Sequence, residues 1–190
     1  MNRRILARVL AAALPLGACS GGSAPGGSDA TAAAGGTPIA VENGDFETTD
    51  PYGAVPGWMT LQHAGVPSYE MKIEPEAAHA GANGFRMTRT HEQVYGTLAQ
   101  DIQFAKPLSG TVELSAWLKS RDVGPEGWSL MIIAGGQPEY SRALTGTTDW
   151  QHVTVRAALK PNSTSIRIGI TLIDAGTGWA DQVELRHFAP

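Results

Sequence analysis

Apolar and polar residues alternate with a period of two along most of the chain beyond residue 68. The alternation runs through Tyr69, Met71 and Ile73, then Leu98, Gln100, Ile102 and Phe104, then Val112, Leu114, Ala116 and Leu118. It resumes at Trp128, Leu130 and Ile132, at Val153 and Val155, at Ile166, Ile168, Ile170 and Leu172, and at Trp179, Asp181, Val183 and Leu185. Successive side chains of a strand point to opposite faces, so these runs predict half-buried strands. Turn-forming clusters separate them at residues 106–110, 145–149 and 160–163, and the 23 glycines and 12 prolines fit a chain that turns often. No window carries a helical stripe. Short strands at this spacing predict an all-β fold, an antiparallel two-sheet β-sandwich.

The first residues follow another rule. Arg3 and Arg4 precede an apolar run from Val9 to Leu16, and the small residues Gly17 and Ala18 follow. This is the order of a secretory signal, residues 1–18, and the run is too short to cross a hydrocarbon core as a helix. Leu16-Gly17-Ala18-Cys19 resembles the bacterial lipobox, in which cleavage leaves a cysteine to be acylated. The resemblance implies a membrane held through lipid on Cys19, and Ser20 behind it implies sorting to the outer membrane of a cell envelope. Cys19 is the one cysteine of the chain, so no internal disulfide forms and no other thiol serves as a nucleophile. Residues 20–38 are built from Gly, Ser, Ala and Thr, with Pro25 and Pro38 and a single charge at Asp29. They cannot bury enough apolar surface to offset ordering, and read with Cys19 as a flexible tether, 19–38. Residues 39–190 are the length of one domain.

Charge mainly excludes. Loss of the signal removes Arg3, Arg4 and Arg8 from the 14 basic residues and none of the 18 acidic ones, taking the net charge from −4 to −7. An acidic exported chain with no run of Lys and Arg is poorly suited to nucleic acid or to a polybasic membrane contact. Catalytic signatures are missing too. His63, His79, His91, His152 and His187 have no metal-ligand spacing, and there is no nucleophile elbow or phosphate loop. Asp101, Glu113 and Asp122 are carboxylates whose pairing spacing does not reveal, and the chain reads as a non-enzyme.

A family resemblance enters through two distant motifs. Asn43-Gly44-Asp45-Phe46-Glu47 with Pro56-Gly57-Trp58 resembles the opening of galactose-binding-like jelly rolls, in particular carbohydrate-binding modules of families 4, 9 and 22. Gly176-Thr177-Gly178-Trp179-Ala180-Asp181-Gln182-Val183-Glu184-Leu185 resembles their closing strand, and intermediate segments at 79–81, 97–102, 112–119 and 150–155 follow in the same order. The resemblance implies a jelly roll that binds a carbohydrate, and a structural calcium near the chain ends. The positions that match its ligands are Glu47 and Asp181, with Asp45 and Asn43 as neighbours; Gln182 stands where a second acid is common. The competing reading is that these carboxylates cap turns.

Aromatic side chains carry the sugar question, because pyranose rings stack on Trp and Tyr while polar neighbours bond hydroxyls. Trp58, Trp150 and Trp179 lie inside the framework motifs and are expected in the core. Alternation puts Trp117 on the face opposite Val112, Leu114, Ala116 and Leu118, hence outward. Trp128 follows the polar loop 121–127 and is a candidate rim platform. Tyr140 and Arg142 follow the turn 135–138, and Tyr95 lies near Arg89, His91 and Gln93. The candidate ligand contacts are therefore Trp117, Trp128, Tyr95, Tyr140 and Arg142. Two partners stay open: a carbohydrate, or an envelope protein docked on the same fold as a scaffold.

Overall fold

The computed structural model describes residues 35–190; the signal, Cys19 and the tether as far as residue 34 lie outside them. The strands are β1 (Thr37–Ile39), β2 (Met59–Gln62), β3 (Tyr69–Glu74), β4 (Gly84–Arg89), β5 (Gly96–Ile133), β6 (Glu139–Tyr140), β7 (Leu144–Leu172) and β8 (Thr177–Phe188), with one 3-10 turn at Pro75–Ala77. All strand pairings are antiparallel. β1 begins at Thr37, so the last two residues assigned to the tether belong to the sheet, opposite His187 and Arg186. Among the described residues no helix is long and apolar enough to cross a membrane.

β5 and β7, at 38 and 29 residues, exceed the usual strand length several-fold. Each is several strands joined by corners. The ladder between them shifts register at Gln103/Leu108, Leu108/Gly110 and Val123/Trp128, in or beside the segments read as turns. Gly110 (φ 107°) and Asn162 (φ 60°) take the left-handed conformation that such corners need. Residues 165–172 of β7 pair on one side with 96–103 of β5 and on the other with 128–133, and β2 and β6 flank this group. That is one layer. In the other, residues 110–118 of β5 pair with 151–159 of β7 and with β8, which continues to β4 and β3.

The core lies between the layers and is built from the predicted alternation. Val112, Leu114, Ala116 and Leu118 join Val153, Val155, Ala157 and Leu159 from one layer; Leu98, Ile102, Ile166, Ile168, Ile170 and Leu172 come from the other. Their intervening neighbours face outward, which is why the two outer faces can carry function. The opening motif is a clasp on this core. The Asn43 amide accepts the N–H of Thr48 (2.9 Å) and donates to the carbonyls of Thr48 and Pro56 (3.0 and 3.2 Å). Asn43 and Phe46 both adopt positive φ (48° and 54°), which turns the fully buried Phe46 ring against Trp58 and Phe85, with centroids 5.8 and 5.5 Å away.

Candidate functional site

The outer face of the layer that contains β2 and β6 carries a groove, and its shape follows from register. One cross-strand row reads Met59, Ala99, Gly169, Met131, Tyr140. Its middle positions are the two smallest side chains, which leaves room for the larger neighbours to pack across them. A Cβ on Gly169 would press Met131 Cε at 2.9 Å and Thr97 Cγ2 at 3.1 Å, so glycine there seats Met131 beside Thr97. The next row brings Leu61, Thr97 and Thr171 alongside, with the threonine hydroxyls 3.0 Å apart. The resulting cavity holds about 360 Å³ and has Tyr95, Tyr140, Val94, Pro138 and Arg167 on its walls. It shares Ile133 and Arg167 with a further depression of about 330 Å³ at Asp101, Gln103, Gly135 and Ser165.

Exposure singles this face out. Six large apolar side chains are exposed among the described residues, and three of them, Val94, Tyr95 (37%) and Tyr140 (48%), line the groove. Polar groups are held in fixed positions beside them. Arg167 grips Asp101 with two parallel bonds, Nε to Oδ1 at 2.7 Å and Nη2 to Oδ2 at 2.8 Å. These bonds hold the Asp101 carboxyl below the usual carboxylate range. A depression of about 410 Å³ beside Pro38, Asn43 and Arg186 has no aromatic wall and lacks this combination.

The remaining candidates separate. Tyr95 and Tyr140 come together on the groove. Trp128 does not: its side chain is fully buried, with Nε1 donating to the Trp179 carbonyl at 3.1 Å. The period Trp128, Leu130, Ile132 put the indole inward, and that outweighs its place after a polar loop. Arg142 is exposed but donates to Gln151 Oε1 at 2.6 Å, away from the groove walls. Trp117 is on the outer face of the other layer, half-buried, with the His79 ring stacked on it at 4.1 Å and 15°. Trp58 is in the core as expected, but Trp150 and Trp179 are not; both are half-buried on the outer face with Trp117. Framework position in a motif says nothing about which side of a strand faces the core.

The four metal candidates act on one loop and one turn. Asp181 has no exposed surface, and its carboxylate accepts N–H groups from His79 (2.8 Å), Ala80 (2.9 Å) and Gln182 (2.7 Å). Burial pushes its carboxyl above the usual range against the pull of those bonds. Glu47 Oε1 accepts the N–H groups of Ala82 and Asn83 at 2.8 and 3.2 Å, Asp45 Oδ1 caps the N–H of Glu47 at 3.4 Å, and Asn43 closes the clasp described above. Among the described residues no three His, Cys, Asp or Glu side chains converge. Through these bonds Glu47 and Asp181 brace residues 79–83.

The fold is shared with known proteins. No protein-family sequence profile matches the chain. A 137-residue stretch is 26% identical to the uncharacterized HTH-type transcriptional regulator YbfP of Bacillus subtilis, covering 67% of this chain and 46% of that one, so the chain spans about half the length of that relative. Among solved structures, TmCBM61 in complex with β-1,4-galactotriose aligns over 77% of this chain and 97% of its own, with TM-score 0.54 and 17% identity. A putative sugar binding protein from Bacteroides thetaiotaomicron aligns over 78% and 99%, with TM-score 0.57 and 13% identity. A family 16 carbohydrate-binding module aligns over 77% and 99%, with TM-score 0.51 and 22% identity. At such identities the likeness is one of fold, and the described domain is an antiparallel jelly roll of the kind found in carbohydrate-binding modules.

Proposed function

We propose that the domain binds a carbohydrate in the groove between Tyr95 and Tyr140, without catalysis, and that lipid on Cys19 holds it at a membrane. The observation that carries this reading is the pairing of two exposed tyrosines across a cavity lined by Thr97, Met131 and Thr171. A phenol ring receives the C–H face of a pyranose, and the fixed carboxylate, guanidinium and carbonyl groups beside it bond the hydroxyls. The solved structures of like fold, two of them sugar-binding by description, support the same reading. A binding rather than a hydrolytic role is supported by the carboxylate in the depression that adjoins the groove. Asp101 is tied on both oxygens to Arg167 and kept ionised, the opposite of the raised pKa that a glycosidase acid needs.

Affinity electrophoresis through gels containing β-1,4-galactan, xylan or mixed-linkage glucan tests it. Retardation by at least one of these polysaccharides is expected. Tyr95→Ala and Tyr140→Ala should each weaken it about tenfold, a stacking contact amounting to roughly 1 kcal/mol or more, at unchanged melting temperature. Wild-type protein that runs unretarded in all three gels would sink the proposal.

A further inference from the structure

The outer face of the other layer carries a second constellation, which the groove does not use. Arg86 on β4 and Lys119 on β5 both stand opposite Trp179 on β8, and Trp150 on β7 lies beyond Lys119. The row across four strands therefore alternates Arg86, Trp179, Lys119, Trp150. Lys119 Nζ lies 5.8 Å from the Trp179 ring centroid and 6.0 Å from that of Trp150, and the Arg121 guanidinium lies 5.2 Å over Trp179. The adjoining row holds Trp117 between Asp181 and His152, with His79 on top.

These cations differ in how far they are neutralised. Arg86 is bonded to Glu74 at 2.6 Å and Glu70 at 3.0 Å. Lys119 has only Asp149 at 3.9 Å, a carboxylate whose side chain is 89% exposed and therefore well screened. Arg121 is exposed and has no ion-pair partner among the described residues. An indole attracts a cation through its quadrupole without cancelling the charge. Lys119 and Arg121 are thus held in place yet left positive, on a chain whose net charge is −4.

We infer that this face is a second binding site, for an anionic glycan: a pyranose chain bearing carboxylate or sulfate groups. The two cations, held over Trp179, meet the charged substituents, and exposed His152 with half-buried Trp150 beside them meets the rings and hydroxyls. Two free cations are too few for the several phosphate contacts that hold nucleic acid, or for the polybasic cluster that reads a membrane surface. The ring-stacking surface beside them favours a sugar.

The test uses gels containing polygalacturonate, dextran sulfate or uncharged dextran, at low and high salt. Retardation by at least one of the charged polymers is expected at low salt, with loss at high salt and none in dextran; which polymer acts tells carboxylate from sulfate. Replacing Lys119→Gln and Arg121→Gln together should weaken it at least about tenfold, each charge-assisted contact being of that order. Tyr140→Ala should leave it intact, so this site stands or falls separately from the groove. Four results would overturn the inference: wild type unretarded in both charged gels, the double variant retarded like wild type, loss in Tyr140→Ala, or equal retardation by duplex DNA or anionic vesicles.

Discussion

Trp117 and Trp128 lie in the same strand run, and their parity decides their roles. Trp128 packs on Gly178, where an added Cβ would strike the indole ring itself. Its replacement by Ala leaves a large cavity and an unpartnered Trp179 carbonyl, so Trp128→Ala should cost about 3–5 kcal/mol in urea unfolding. Tyr140→Ala, at 48% exposure, should cost under about 1 kcal/mol in the same assay. Equal losses would mean that Tyr140 is a core residue rather than a groove wall. The sequence held the signal for both tryptophans, since alternation with Leu130 and Ile132 marks Trp128 as inward as plainly as Val112 to Leu118 marks Trp117 as outward. Position after a polar loop is the weaker guide, because a loop sets where a strand begins and not which face each residue takes.

At the scale of elements, register creates both sites, and ion pairs tune them. Asp101 and Arg167 face each other across β5 and β7; Arg167 lines the groove and both line the depression beside it. Bonds from Arg167 lower the Asp101 carboxyl, so the folded state holds its proton less tightly than the unfolded chain. The resulting stability is present at neutral pH and is lost as pH falls through the lowered value. Both side chains are more than a third exposed, 45% and 39%, so solvent limits the effect to about 0.2–1 kcal/mol. Urea midpoints measured at neutral pH and at about pH 3 should therefore fall less steeply in Asp101→Asn than in wild type. An unchanged slope would show that the pair does not form in solution. Asp181 titrates in the opposite sense, its carboxyl raised by burial, so the comparison with the variant isolates Asp101. The sequence offered Glu47 and Asp181 as acids in motifs that bind a metal or cap turns, but that they brace residues 79–83 depends on contacts between segments about 35 and 100 positions apart.

For the whole molecule, the proposed arrangement is a lipid anchor at Cys19, a tether, and a sandwich with a groove on one outer face and a charged indole row on the other. Mass spectrometry of the processed protein should find an N-terminus at Cys19 carrying acyl chains, and Cys19→Ser should leave an unprocessed, unacylated chain; a wild-type N-terminus at another residue would refute the anchor. Sequence alone determined the fold class and the strands that make the core, because a period of two is a local property that burial on one face imposes residue by residue. The proposed order of signal, cysteine and tether rests on linear signals alone. Tertiary structure alone decided the sites. The groove exists because pairing sets Thr97 beside Thr171 and Met131 beside Tyr140, and the cationic face exists because β8 and β5 bring Lys119 and Arg121 to Trp179. No Lys or Arg run marks that face in the sequence, since its charges come from separate strands and meet only across a sheet.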